Sequence, residues 1–261
     1  MALELAEERP SPPSPGPAGP RPGYPWRVFP ALAALGEIAV VLAVPRPLSP
    51  AVLVAASVAA VGAAAFGLGL GRRSGLGAPL LEGALRGEAP PGWLARLAGG
   101  LAAGIGVGAA IAGALRLLVM PVLPALHARF AAEVATPLWK RWIIAFDAAV
   151  LEETLFRLFL VTAVVWAIRL LTAAPDGPPS PAAGWTANSV AALAFALVHV
   201  PRWAALAPGS PSVIAVVLAT NVAAGLVFGR LFLRRGIETA MIAHFGADAV
   251  VHVLGPALLA S

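Results

Sequence analysis

Apolar segments of membrane-spanning length dominate this chain and restrict it to one fold class. A helix needs about 20 apolar residues to cross the hydrocarbon core of a bilayer. Because lipid cannot satisfy backbone N–H and C=O groups, such segments must be helical. The sequence therefore predicts an all-α polytopic transmembrane bundle of about seven spans, with six to eight compatible. Their approximate ranges are 28–44, 51–70, 97–120, 142–171, 185–200, 211–233 and 237–258.

The overall composition excludes several protein classes. Of the 261 residues, 59% are hydrophobic and only 12% are charged, whereas soluble domains carry about 25% charged residues. Cysteine is absent, so neither a disulfide nor a thiolate metal site can form. The net charge is +5, but the arginines flank apolar spans instead of forming a basic face. We therefore expect no nucleic-acid partner.

The chain divides by composition into a tail and two membrane regions. Residues 1–26 are so rich in proline that a disordered or polyproline tail is predicted. N-terminal transmembrane helices and their connections occupy 27–138, and a helical core occupies 139–261. Within the first region Gly100, Gly104 and Gly108 are four residues apart, a spacing that lets helices of one bundle approach closely.

The distribution of basic residues predicts an orientation. Eleven of the 18 Lys and Arg residues lie on the side of the N-terminus and five on the other side. The positive-inside rule then places the N-terminus in the cytoplasm. The excess of Ala, Gly, Pro and Arg is typical of a GC-rich genome, and we expect a bacterial plasma membrane.

A few ionisable residues lie within or beside the predicted spans and mark a candidate site. Glu152, Glu153, His199 and His244 are in three separate spans, and Asp248 follows His244 by one helical turn. An ionisable group at membrane depth is costly, so it is a functional-site candidate by default. Together these groups suggest one buried reaction centre.

The two adjacent glutamates have different predicted roles. Glu153 and Arg157 are four residues apart and share a helix face, so they can pair. Glu152 points about 100° away and has no partner at helical spacing. This pattern suggests that Glu153 and Arg157 hold structure while Glu152 faces the reaction. A buried ion network that includes both acids is the alternative.

The histidines follow in two further spans. Pro201 predicts that span five ends near His199, which therefore lies in its last turn; alone, such a histidine is more often a core residue. His244 and Asp248 share a helix face. This spacing fits a histidine with its orienting carboxylate, two ligands of one metal, or a simple intrahelical hydrogen bond. Asp147, near a span end, is expected to face the membrane interface.

Carboxylates and imidazoles together bind zinc or activate water. No HExxH motif occurs, and the chain lacks both GxSxG and cysteine, which disfavours a serine or thiol nucleophile. The motifs EExxxR at Glu152–Arg157, FxxxH at Phe195–His199 and HxxxD at His244–Asp248 follow in that order. In these motifs residues 140–256 resemble the CPBP intramembrane proteases, which include CAAX prenyl endopeptidases of the Ras-converting type and bacteriocin-immunity relatives.

The resemblance implies an intramembrane endopeptidase with its catalytic core in 139–261. By analogy Glu152 would activate the attacking water with help from His199, while His244 and Asp248 would complete the site. The family more often has Asn at the last position, and an ionised Asp cannot donate a hydrogen bond to an oxyanion. Asp248 is therefore expected to orient His244 or to contact a metal. Supporting roles fall to Glu153, Arg157 and Phe195.

The resemblance also implies what the site binds. A divalent metal such as zinc, held by Glu152, His199 and His244, would make the protein a metalloendopeptidase. The expected partners are the bilayer and a peptide or protein substrate, which is lipid-modified in the best-known family case. Two other functions remain open, namely a non-catalytic immunity or scaffold protein of the same fold and a small-solute transporter. Internal repeats typical of transporters are not seen.

Overall fold

The computed structural model describes residues 25–43 and 49–260, and all of its regular structure is helical. Most of the predicted tail therefore lies outside the described residues, and α1 begins at Pro25. The helices are α1 (Pro25–Ala43), α2 (Pro50–Gly71), α3 (Pro79–Leu85), α4 (Trp93–Ala114), α5 (Ala125–Ala135), α6 (Leu138–Glu153), α7 (Thr162–Thr172), α8 (Pro181–Leu206), α9 (Pro211–Arg235), α10 (Ile237–Asp248) and α11 (Gly255–Leu259).

Three π-helical segments join some of these helices into longer rods. Leu115–Val119 extends α4, Thr154–Val161 connects α6 to α7, and Ala249–Leu254 connects α10 to α11. Among the described residues, six helical runs are long and apolar enough to cross a membrane. They are Pro50–Gly71, Trp93–Val119, Leu138–Thr172, Pro181–Leu206, Pro211–Arg235 and Ile237–Leu259.

These runs confirm the predicted polytopic helical bundle. The first predicted span corresponds to α1, which packs against α2 and α6. Large apolar side chains such as Val58, Leu117 and Leu171 are 68%, 72% and 87% exposed. Exposure of this kind along membrane-length helices is what a lipid-facing surface requires, because lipid offers apolar side chains a favourable environment.

The predicted end of the fifth span is wrong. Pro201 lies inside α8, which continues to Leu206, so His199 is not in the last turn. A proline removes only its own N–H donor, and transmembrane helices tolerate this loss because neighbouring groups or water can satisfy the freed carbonyl. α6 likewise begins at Leu138, before the predicted start of span four at residue 142.

Close packing of α4 on α10 confirms the role predicted for the three glycines. Gly100, Gly104 and Gly108 are all buried. A Cβ added at Gly104 would lie 2.6 Å from the Ala243 carbonyl carbon, and closer still to its oxygen. Residue 104 therefore has to be glycine for α4 to lie this close to the segment of α10 that precedes His244.

Candidate active site

The candidate site residues lie where α-helix changes to π-helix. Glu152 and Glu153 end α6, and the π-helical segment begins at Thr154. Asp248 ends α10, and the next π-helical segment begins at Ala249. π-Helical turns within α-helices are rare and occur frequently at functional sites. Both acidic helix ends are thus placed by the same kind of local backbone change.

A buried ion network forms the centre of the site. Glu153 Oε1 lies 2.9 Å from Arg157 Nη1, and both side chains are completely buried. The same oxygen lies 2.8 Å from His244 Nδ1. Arg157 Nη2 also donates to the Gly225 carbonyl of α9 at 3.3 Å. The predicted Glu153–Arg157 pair is confirmed, and the structure adds His244 to it.

Aromatic rings fix the orientation of the His244 imidazole. It stacks on Phe228 with ring centroids 4.9 Å apart and an interplanar angle of 17°. Phe195 meets it edge-on at 5.8 Å, and the Arg157 guanidinium lies 4.5 Å above the Phe195 ring. Since a carboxylate only accepts, Nδ1 must donate its proton to Glu153. Nε2 is therefore the ring nitrogen that faces the other acids.

Two carboxylates face His244 Nε2. Glu152 Oε2 lies 3.7 Å away and Asp248 Oδ2 lies 3.6 Å away. Both distances exceed a direct hydrogen bond, but a water molecule can lie within hydrogen-bond distance of both ends of such a gap. The Glu152 side chain is 31% exposed and that of Glu153 is 0% exposed. The predicted contrast between the two glutamates therefore holds for their burial.

His199 approaches the site from α8. Its Nδ1 donates to the Phe195 carbonyl at 2.7 Å, because a carbonyl can only accept. This bond assigns the proton to Nδ1 and leaves Nε2 as the acceptor of the neutral ring. The His199 ring lies 4.9 Å from Phe195 and close enough to Glu152 for their charges to interact. Phe195 thus contacts both histidines.

Two further ionisable residues lie near the site. Asp147 was expected at the membrane interface, but it is half-buried and close enough to Glu152 and Asp248 for their charges to interact. Because α6 begins at Leu138, earlier than predicted, Asp147 is not at the helix end. Its position at the membrane interface stays a prediction. His252 lies near Asp248, and its Nδ1 is 4.0 Å from Glu133 Oε2. The four-residue spacing from His244 through Asp248 to His252 was the available signal.

The predicted metal site is not assembled in the structure as a group of three ligands. Within 25–43 and 49–260, no group of three or more His, Cys, Asp or Glu side chains is positioned to hold a metal ion. In both candidate histidine ligands, His199 and His244, Nδ1 is engaged by a carbonyl or a carboxylate, which leaves Nε2 as the nitrogen that a metal could bind. The divalent metal on Glu152, His199 and His244 stays a prediction.

Comparison with protein families places these residues in a known group. Residues 134–250 match the model for type II CAAX prenyl endopeptidase Rce1-like proteins. This segment is an Rce1-like domain. The Rce1-like range contains the ion network of Glu153, Arg157 and His244 together with Glu152 and Asp248, and it agrees with the resemblance seen in the motifs. No curated protein and no solved structure matches the chain significantly.

The Rce1-like domain and the six apolar runs together indicate an integral membrane protein. The match of this segment suggests a CAAX-type intramembrane protease that acts on a protein substrate.

Proposed function

We propose that this chain is an intramembrane endopeptidase in which Glu152 activates water for attack on a peptide bond. The observation that supports this most strongly is the arrangement around His244. Glu152 and Asp248 both face its Nε2, and Glu153 holds its Nδ1. These groups belong to two membrane-length helices of an Rce1-like domain. A catalytic carboxylate beside imidazoles is the donor set that general acid–base hydrolysis needs.

The first chemical step uses the partly exposed glutamate. Water binds between Glu152 Oε2 and His244 Nε2, and Glu152 accepts one of its protons. The water oxygen attacks the carbonyl carbon of the substrate and forms a tetrahedral intermediate. Glu152 then passes the proton to the amide nitrogen as the C–N bond breaks, which yields a carboxylic acid and an amine. Glu153 cannot serve as this base because its carboxylate is fully buried and already engaged.

The remaining residues orient the reacting groups and stabilise charge. Arg157 offsets the charge of Glu153, and Glu153 keeps a proton on His244 Nδ1. His244 carries a second proton on Nε2 that it shares with the developing oxyanion, since donors aimed at this charge stabilise the transition state. His199, whose Nε2 is not used by the Phe195 carbonyl, assists Glu152.

Asp248 acts on His244 and not on the substrate. An ionised carboxylate has no hydrogen to donate to an oxyanion. At 3.6 Å from Nε2, its negative charge stabilises the protonated imidazole that the oxyanion requires. We therefore expect Asp248→Asn to leave a functional but altered enzyme, because the amide can itself donate to the oxyanion.

We further propose that the substrate is a lipid-modified peptide or protein and that the N-terminus lies in the cytoplasm of a bacterial plasma membrane. The family name specifies prenyl endopeptidases, and the candidate site lies in membrane-length helices, which a lipid-anchored peptide can approach through the bilayer. The excess of basic residues on the N-terminal side supports the orientation.

The decisive experiment measures hydrolysis in proteoliposomes with Glu152→Gln. Candidate lipidated and unlipidated peptides would be followed by mass spectrometry, which identifies the cleaved bond. We expect at least a 100-fold loss, since general acid–base catalysis contributes about 10²–10⁴-fold. Glu88→Gln is the matched control, because that exposed carboxylate pairs with the nearby Arg86 and lies outside the candidate site. Full hydrolysis by Glu152→Gln would refute the mechanism, and a partner-binding phenotype that survives it would favour the scaffold function.

A further inference from the structure

A separate cavity of about 210 Å³ lies at the ends of two membrane-length helical runs. It shares no residue with the candidate active site. Its lining includes two arginines, one aspartate, and two apolar side chains, which are Arg73, Arg169, Asp176, Trp166 and Leu170. A cavity of this size holds several water molecules, so it can also hold a phosphate group.

Arg169 joins the two loop segments that line this cavity. Its guanidinium donates to the carbonyl of Arg73 at 2.7 Å and to that of Gly177 at 2.8 Å. It also pairs with Asp176 at 3.0 Å. These bonds tie the loop after α7 to the turn after α2, so contacts within the protein hold the rim of the cavity together. The charge of Arg169 is offset by Asp176.

Because Arg169 pairs with Asp176, Arg73 contributes the remaining positive charge of the cavity lining. Only its backbone carbonyl is used by Arg169, and its side chain is exposed. Within the described ranges, its guanidinium has no ion-pair partner. The indole N–H of Trp166 likewise has no hydrogen-bond partner among the residues that the structure describes. Arg73 and Trp166 line the same small cavity, and a guanidinium and an indole N–H are both groups that can bind an anion.

The position of the cavity indicates where that anion comes from. The span Pro50–Gly71 ends just before Arg73, and the span Leu138–Thr172 ends just after Leu170. Trp166 is 37% exposed and Leu170 is 58% exposed, so apolar surface continues from the cavity along the lipid-facing side. Tryptophan is enriched at the level of lipid headgroups, and basic pockets between transmembrane helices bind anionic headgroups.

We propose that this cavity binds the phosphate of an anionic phospholipid. Arg73 pairs with the phosphate oxygens, the Trp166 N–H donates to the same headgroup, and an acyl chain lies along Leu170. The apolar surface beside the cavity favours a phospholipid over free phosphate, which shares the same anionic chemistry. This site is independent of the proposed peptidase activity.

Native mass spectrometry of the purified full chain tests the assignment. Retention of phosphatidylglycerol would be compared with that of phosphatidylcholine for wild type, Arg73→Gln and Arg72→Gln. Arg72 is the matched control, because it is an adjacent exposed arginine outside the cavity lining. We expect Arg73→Gln to reduce phosphatidylglycerol retention about fivefold, with no change for Arg72→Gln and none for phosphatidylcholine.

Three results would overturn the proposal. An equal loss with both arginine variants would indicate a general surface charge effect. Equal retention of both lipids by wild type would remove the anion requirement, and displacement of phosphatidylglycerol by inorganic phosphate would indicate a free-phosphate site. Trp166→Phe keeps the ring but removes the N–H, so it should also lower retention of phosphatidylglycerol. Thermal unfolding of each variant establishes that the fold is intact.

Discussion

Gly104→Ala tests whether the packing of α4 on α10 positions the candidate catalytic histidine. A Cβ at residue 104 would lie 2.6 Å from the Ala243 carbonyl carbon, whereas real Cβ contacts essentially never fall below 3.0 Å. The obstacle is backbone, which cannot rotate away as a side chain can. The two helices would have to separate by roughly 1 Å in a closely packed interior. His244 follows Ala243 directly, so it would move with α10.

Two effects of different origin should follow from this substitution. Overpacking typically costs about 1–3 kcal/mol in the free energy of unfolding. A displacement of about 1 Å at a catalytic group can lower the rate about 100-fold. We therefore expect a lower unfolding temperature and a much larger relative loss of peptide hydrolysis, measured in detergent and in proteoliposomes respectively.

The same helix provides the control. A Cβ at Gly106 would meet nothing within 4 Å, so Gly106→Ala introduces the same methyl group without a clash. It should leave hydrolysis unchanged, and by replacing glycine in a helix it should be neutral or stabilising. If Gly104→Ala retains wild-type stability and hydrolysis, α4 does not constrain α10, and the argument from close packing is refuted.

Three further predictions address the ion network, the response to pH and the metal. Arg157→Met should reduce stability by about 3–5 kcal/mol, because it removes the arginine from the buried Glu153 carboxylate and leaves His244 as its remaining partner. Chemical unfolding should show that adding Glu153→Gln recovers part of the loss; no recovery would argue against the pair. Burial raises the pKa of Glu133, but attraction to His252 and Arg129 outweighs it and lowers the pKa below its ordinary value. His252 Nδ1, at 4.0 Å, acts through charge because it is beyond hydrogen-bond distance. A lowered folded pKa gives stability that is present above the ordinary carboxyl pKa and is lost as the pH falls through the folded value. Unfolding temperatures measured from neutral to acidic pH should therefore show a fall that Glu133→Gln reduces, and an unchanged fall would exclude Glu133 as its source. Hydrolysis should survive treatment with EDTA, because in the proposed mechanism Glu152 activates the water without a metal. Inactivation that zinc reverses would instead support the predicted ligands Glu152, His199 and His244.

Local spacing explains why much of the fold and part of the site could be predicted. The apolar runs required membrane helices, and the four-residue intervals placed Glu153 with Arg157 and His244 with Asp248. Each of these pairs lies within one helical run, so the sequence spacing alone indicates which side chains are neighbours. The family followed from the order of the same motifs.

Relations between helices could not be predicted in this way. The bond from Glu153 to His244 joins residues 91 positions apart, and it depends on how α6 and α10 rotate against each other. The proximity of Asp147 to Asp248 likewise depends on how α6 packs against α10. Local preference predicts a helix end at Pro201, but α8 continues to Leu206 because surrounding helices or water can satisfy the carbonyl that the proline frees.

The Phe195 ring connects the two histidines and Arg157 through packing contacts. Its surroundings include the Arg157 guanidinium at 4.5 Å, the His199 ring at 4.9 Å and the His244 ring at 5.8 Å. Close-packed interiors transmit displacements instead of absorbing them. Phe195 lies on α8 and contacts His244 of α10, so a displacement of α8 would reach both imidazoles through this one ring. We therefore expect a change in the size of residue 195 to alter the positions of His199 and His244 together.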